Sequence, residues 1–259
     1  MTGSAGVMAL VLAETVAGSA MFLWLTPLWR EVKRGYFTLT GVILTIVAFA
    51  AWRSAAAGAI AGDTAGAWSV RLTLASLLVT AVWTALQLLK QNPAARGVGF
   101  VSVPVAVAPL VAMAATGRQH EAIALFELVA GAALLGSVLD GLLLGHWYLT
   151  DRGLSRTPIE RATRIMLVAV VVDAVAVIAG GFGGVGSTRA FNPLLTAGAL
   201  APWIALGMVG ATALIAVMVK ATLRGTRASA VQSATGFFYL AVVTALTAEV
   251  AVKVRFLPG

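Results

Sequence analysis

Cysteine is absent from the chain and histidine occurs only twice, at His120 and His146. The first absence excludes disulfides, thiol chemistry, thiolate-held iron–sulfur clusters and covalent haem attached through Cys-x-x-Cys-His. The second leaves haem b poorly served. Paired histidines at matched depth are the usual ligands, whereas these two fall at opposite ends of one expected helix. Two histidines and scattered carboxylates show no metal-ligand spacing either. Charge is also scarce, at 11% of residues, against about a quarter in soluble domains. No polar stretch is long enough to build a separate soluble domain, so residues 1–259 read as one membrane domain.

The chain is instead rich in apolar runs, which make up most of its 60% hydrophobic content. The N-terminal stretch "MTGSAGVMALVLAETVAGSAMFLW" has an apolar run long enough to span a bilayer and lacks the positive n-region of a secretory signal, so it reads as a retained first helix. Taking Gly, Pro and charge clusters as breaks predicts eight transmembrane helices, at about 6–28, 36–53, 67–89, 97–116, 121–149, 161–182, 194–220 and 230–252. The expected fold class is an all-α integral membrane protein.

Basic residues outnumber acidic ones by 18 to 10, and their placement speaks for topology and contact with anionic lipid rather than for nucleic acid. Twelve of the 18 fall beside the odd-numbered loops: Arg30, Lys33 and Arg34; Lys90 and Arg96; Arg152, Arg156, Arg161 and Arg164; Lys220, Arg224 and Arg227. The positive-inside rule makes those loops cytoplasmic and puts both termini on the non-cytoplasmic side. The expected location is a bacterial-type plasma membrane.

"ETVAGSA" at Glu14 to Ala20 matches "ELVAGAA" at Glu127 to Ala133 in five of seven positions, at an offset of 113. Helices four and eight open on "GFVSVPVAVA" and "GFFYLAVVTA". A parallel 4+4 duplication, with repeats 1–117 and 118–259, would explain both; chance similarity among Ala-, Val- and Gly-rich helices is the alternative.

Five acidic residues lie inside expected spans: Glu14, Glu127, Asp140, Asp173 and Glu249. A charge at the bilayer centre costs about 2.5–3.5 kcal/mol on insertion scales, so each is protonated, paired or facing a wet cavity. Arg71 is at a compatible depth to pair with one of the outer glutamates and lock helix packing; a proton or cation site is the functional reading. Asp173, near mid-membrane, has no basic partner in view. On helix five, Ala133, Ser137, Gly141 and Gly145 recur every fourth residue and form the small-residue ridge that lets helices approach closely. Glu127 and Asp140 flank that ridge. His146 projects away from it, and about 28 Å of helix axis separates it from Glu127.

The segment His146, Trp147 and Tyr148 reads either as an interfacial aromatic belt or as a quinone or lipid-headgroup pocket, with a ring nitrogen or hydroxyl for a carbonyl partner. "GGFGGVGS", Gly180 to Ser187, lacks the preceding strand and following Lys of a phosphate-binding loop and reads as an external loop. Pro104 and Pro109 in helix four, and Pro202 in helix seven, free backbone carbonyls or merely kink their helices.

These residues support two readings. The first is a multi-pass subunit of an electron-transfer complex, without catalytic activity of its own, that anchors partner subunits and contributes a quinone or proton site. The second is an ion-coupled small-solute transporter that uses the intramembrane carboxylates, with Asp173 as a mid-membrane gate. A membrane-embedded enzyme ranks third, because no nucleophile or general acid–base pair stands out.

Overall fold

The computed structural model describes residues 1–117, 119–151, 153–181, 200–225 and 229–256. Eight helices among them are long and apolar enough to cross a membrane, and the protein is an integral membrane protein. In chain order they are α1 (Gly3–Leu25), α3 (Arg34–Gly58), α4 (Thr64–Leu88), α5 (Asn92–Ala114), α6 (Glu121–Thr150), α7 (Thr157–Ala179), α8 (Leu200–Leu223) and α9 (Ser229–Phe256); a single turn, α2 (Leu28–Glu31), follows α1. Each expected span is present. The first residues of the expected seventh span, and the "GGFGGVGS" loop beyond Gly181, lie outside the described residues.

The helices form two rings of four. In the first, α1 packs on α3, α3 on α4, α4 on α5, and α5 returns to α1; in the second, α6 packs on α7, α7 on α8, α8 on α9, and α9 returns to α6. The rings join through α1 against α6, flanked by α1 against α9 and α5 against α6. The first helix of each ring therefore lies at the centre. This explains why α1 is buried on every side, 83% of its span, whereas α8 at the rim is 28% buried.

The α1–α6 seam depends on glycine. A Cβ on Gly18 would lie 1.7 Å from the Ala132 carbonyl oxygen, and one on Gly136 would lie 2.1 Å from the Gly18 carbonyl carbon. Backbone meets backbone there, so no side chain fits. The expected ridge on α6 serves a different partner: Gly141 faces the Phe238 ring and Gly145 faces Thr235, both on α9. The closest approach to α1 runs one residue earlier, along Ala132 and Gly136.

Two polar faces bound the bundle. One holds the start of α1, the end of α3 and the end of α9, where the Thr2 N–H donates to the Gly58 carbonyl at 2.9 Å and Met1, Ala55 and Val254 share an apolar cluster. The other holds the basic loops, where Lys33 pairs with Asp151 at 3.0 Å and Arg161 grips Glu31 with both guanidinium nitrogens, at 2.7 and 3.0 Å. These pairs tie α2 and α3 of the first ring to α6 and α7 of the second. Between the faces, apolar side chains such as Ile46, Leu78, Val82, Val171, Leu214 and Val243 point outward, as contact with lipid requires.

The prolines do not divide their helices. α5 runs through both Pro104 and Pro109, and Pro202 lies in the first turn of the described part of α8.

Candidate functional site

Glu14, Glu249 and Lys253 meet at the seam between the rings, each with 0% of its side chain exposed. The Lys253 Nζ lies 2.7 Å from Glu14 Oε1 and 3.0 Å from Glu249 Oε2. The two α9 residues are four apart with the glutamate on the N-terminal side, the favourable order for a helical ion pair. The third partner comes from a helix running the opposite way. Side chains lean toward the N-terminus of their own helix, so Lys253, near the end of α9, reaches into the bundle while Glu14 leans back toward the terminal face. The two directions converge.

Two further carboxylates surround this triad. Glu127 on α6 lies close enough for its charge to act on both Glu14 and Lys253. Asp173 on α7 stands beside Glu249, within electrostatic reach of Lys253 and Glu14. The space they occupy is left by Gly131, one turn beyond Glu127: a Cβ there would lie 2.6 Å from Glu249 Oε2 and 2.9 Å from Glu14 Oε1. Among the described residues, four helices, α1, α6, α7 and α9, thus bring four carboxyl groups into the neighbourhood of the Lys253 ammonium.

The balance of charge is the chemical point. Among the described residues, Glu14, Glu249 and Asp173 alone put three carboxyls beside the one Lys253 ammonium. Each uncompensated ion in a dry site costs several kcal/mol, so an excess of carboxyls over bases is costly to keep fully ionised. A cluster of this kind can take up or release a proton when its surroundings change.

Asp140 stands apart. It is fully buried lower on α6, with the hydroxyls of Ser19 and Tyr36 facing its carboxyl, and Tyr36 also donates to the Asp140 main-chain oxygen at 3.3 Å. The Gly18–Gly136 crossing places Ser19 there. Of the five intramembrane acids expected from sequence, four converge on one site and the fifth has its own.

Two expectations are corrected. Arg71 is not the glutamates' counter-ion: it is exposed on α4, with its guanidinium 5.3 Å from the centre of the Trp68 ring. Asp173 is not solitary, since Lys253 lies within its reach. The residue missed was Lys253, because the last helix was expected to end at 252 and in fact continues to Phe256. The Glu249-x-x-x-Lys253 spacing was the available signal: continued helix turns it into an ion pair.

His146, Trp147 and Tyr148 point to different sides of α6. Successive residues of a helix point about 100° apart, and each finds a separate partner. His146 bonds the Tyr239 hydroxyl on α9 and the Leu142 carbonyl, Trp147 packs over Gly35 and Tyr36 on α3, and Tyr148 donates to the Ser155 carbonyl. Among the described residues, no group of three or more His, Asp or Glu is arranged to hold a metal ion. No family model, curated protein or solved structure matches this chain.

Proposed function

We propose that the protein is an ion-coupled small-solute transporter in which the carboxyl cluster around Lys253 binds and releases protons. One observation carries this reading: among the described residues, the three buried carboxyl groups of Glu14, Glu249 and Asp173 gather at the one ammonium of Lys253, at the seam between two rings of helices. A single ion pair would be enough to lock a helix contact; an excess of acids over bases serves proton exchange. The seam is also where two halves would move against each other if they arose by duplication, and the matching ring connectivity together with the Glu14 and Glu127 echo supports that origin. The resident ammonium favours the proton over a metal cation as the coupling ion, because Lys253 already fills the cation position.

The experiment is proton flux into vesicles reconstituted with the protein and loaded with a pH-sensitive dye, under an imposed potential and a panel of small solutes added outside. A solute-triggered flux is expected in the wild type. Glu14→Gln and Glu127→Gln should reduce it at least tenfold while the protein stays folded. Unchanged flux in both variants would sink the reading.

The second reading, a membrane subunit of an electron-transfer complex, draws support from the basic face, where Arg30, Lys90 and Arg224 are exposed and suit an acidic peripheral partner. Co-purification of a redox protein in mild detergent, lost at high salt, would favour it.

A further inference from the structure

A cleft of about 190 Å³ opens at the basic face, far from the carboxyl cluster, between α2 and the ends of α1, α3, α4 and α5. Its walls carry two arginines, Arg34 and Arg96, whose guanidinium groups can only donate, beside the amides of Gln87 and Asn92 and the indoles of Trp24 and Trp29. Arg34 donates one N–H to the Gln87 carbonyl at 3.3 Å, which anchors the guanidinium and leaves its other N–H groups at the cleft. Arg96 lies over the Trp29 ring, its guanidinium carbon 5.5 Å from the ring centre. Among the described residues, neither arginine makes an ion pair, although Lys33 and Arg161 on the same face both do.

The floor adds an independent observation. Trp24 lines the cleft and is 3% exposed, and its indole N–H has no acceptor among the described residues. An indole nitrogen can only donate, and buried donors are almost always paired. The ring is held by design of the backbone around it: Gly99 leaves the space its edge occupies, since a Cβ there would lie 2.1 Å from the ring, and Phe37 and Trp83 close its sides with ring centres 5.7 Å away. The donor is rigidly placed and unpartnered.

We infer that this cleft binds a phosphate oxyanion, held between Arg34 and Arg96 and accepting from the Trp24 indole. Planar guanidinium groups match the oxygens of phosphate in pairs, and an acceptor-rich ligand satisfies the donors of both arginines. The site sits where lipid headgroups lie, and Phe100, 44% exposed and packed tilted against Trp24 and edge-on against Trp29, offers an apolar rim. The oxyanion can therefore come from an anionic phospholipid or from phosphate in solution.

The test uses the purified, delipidated full chain in neutral detergent, with inorganic phosphate and short-chain phosphatidylglycerol as separate probes and phosphatidylcholine as the zwitterionic control. Tryptophan fluorescence and native mass spectrometry report binding. Saturable binding of phosphatidylglycerol alone assigns the headgroup as the source, and binding of phosphate as well assigns the solute. Arg34→Gln with Arg96→Gln should weaken binding by at least about tenfold, as loss of charge-assisted bonds implies. Trp24→Phe keeps the ring, removes the donor and should weaken binding several-fold, and Arg53→Gln on the opposite face should change nothing. If the double variant does not fold, Trp24→Phe and Arg96→Gln alone decide the matter. The assignment is overturned if neither anionic probe binds more tightly than phosphatidylcholine, or if variants with wild-type melting temperature bind as the wild type does.

Discussion

Lys253 shows how much a buried charge depends on its partners. Its ammonium is fully enclosed with Glu14 and Glu249 at 2.7 and 3.0 Å, and removing one member of such a group leaves the others uncompensated. Lys253→Met is expected to lower stability by about 3–5 kcal/mol, seen as a large drop in the melting temperature of the detergent-solubilised protein. Adding Glu14→Gln and Glu249→Gln to that variant should recover much of the loss, because the neutral amides no longer need a cation. Absence of recovery would mean that Lys253 contributes through packing alone. Asp140, by contrast, faces only hydroxyls; Asp140→Asn is expected to be tolerated, with a change in melting temperature of no more than a few degrees.

Among the elements, α1 and α6 define the molecule because their backbones touch. Gly18→Ala places a methyl group where the Ala132 carbonyl already sits, and overpacking of this kind costs about 1–3 kcal/mol. Gly207→Ala on α8 meets nothing within 4 Å, so the gain in helix propensity, up to about 1 kcal/mol, stands unopposed. Thermal unfolding of the two variants side by side should give shifts of opposite sign. Shifts of the same sign would mean that the α1–α6 crossing is looser than its geometry. The ridge on α6 was legible from its four-residue spacing, but the sequence offered no way to choose between α1 and α9 as its partner. The expected four-residue series turned out to face α9, and the tightest crossing used Gly136 instead.

For the whole molecule, the two rings meet along one seam, and ion pairs at the basic face cross it as well. Residues 1–117 and 118–259 expressed as separate chains in one cell should therefore reassemble and co-purify. Gly18→Ala in the first fragment should reduce recovery of the second. If the wild-type fragments fail to associate, the seam is not sufficient to join the halves, and the proposal that they move as units loses its basis.

By itself the sequence determined the eight spans, the basic face, the small-residue ridge and the five acids inside lipid. These follow from one-dimensional quantities: the length of an apolar run, the count of Lys and Arg beside it, and the recurrence of Gly and Ser at helical spacing. Only the tertiary structure decided which acids belong together. Glu14, Glu127, Asp173 and Glu249 lie on four helices distributed along the chain, and their depths overlap with several other polar groups, Arg71 among them. Depth could not separate Lys253 from Arg71 as the partner, because that choice depends on the angle at which each helix is rotated in the bundle. Rotation is set by backbone contacts such as Gly18 against Gly136, which bring α1 and α6 so close that only one face of each can meet α9.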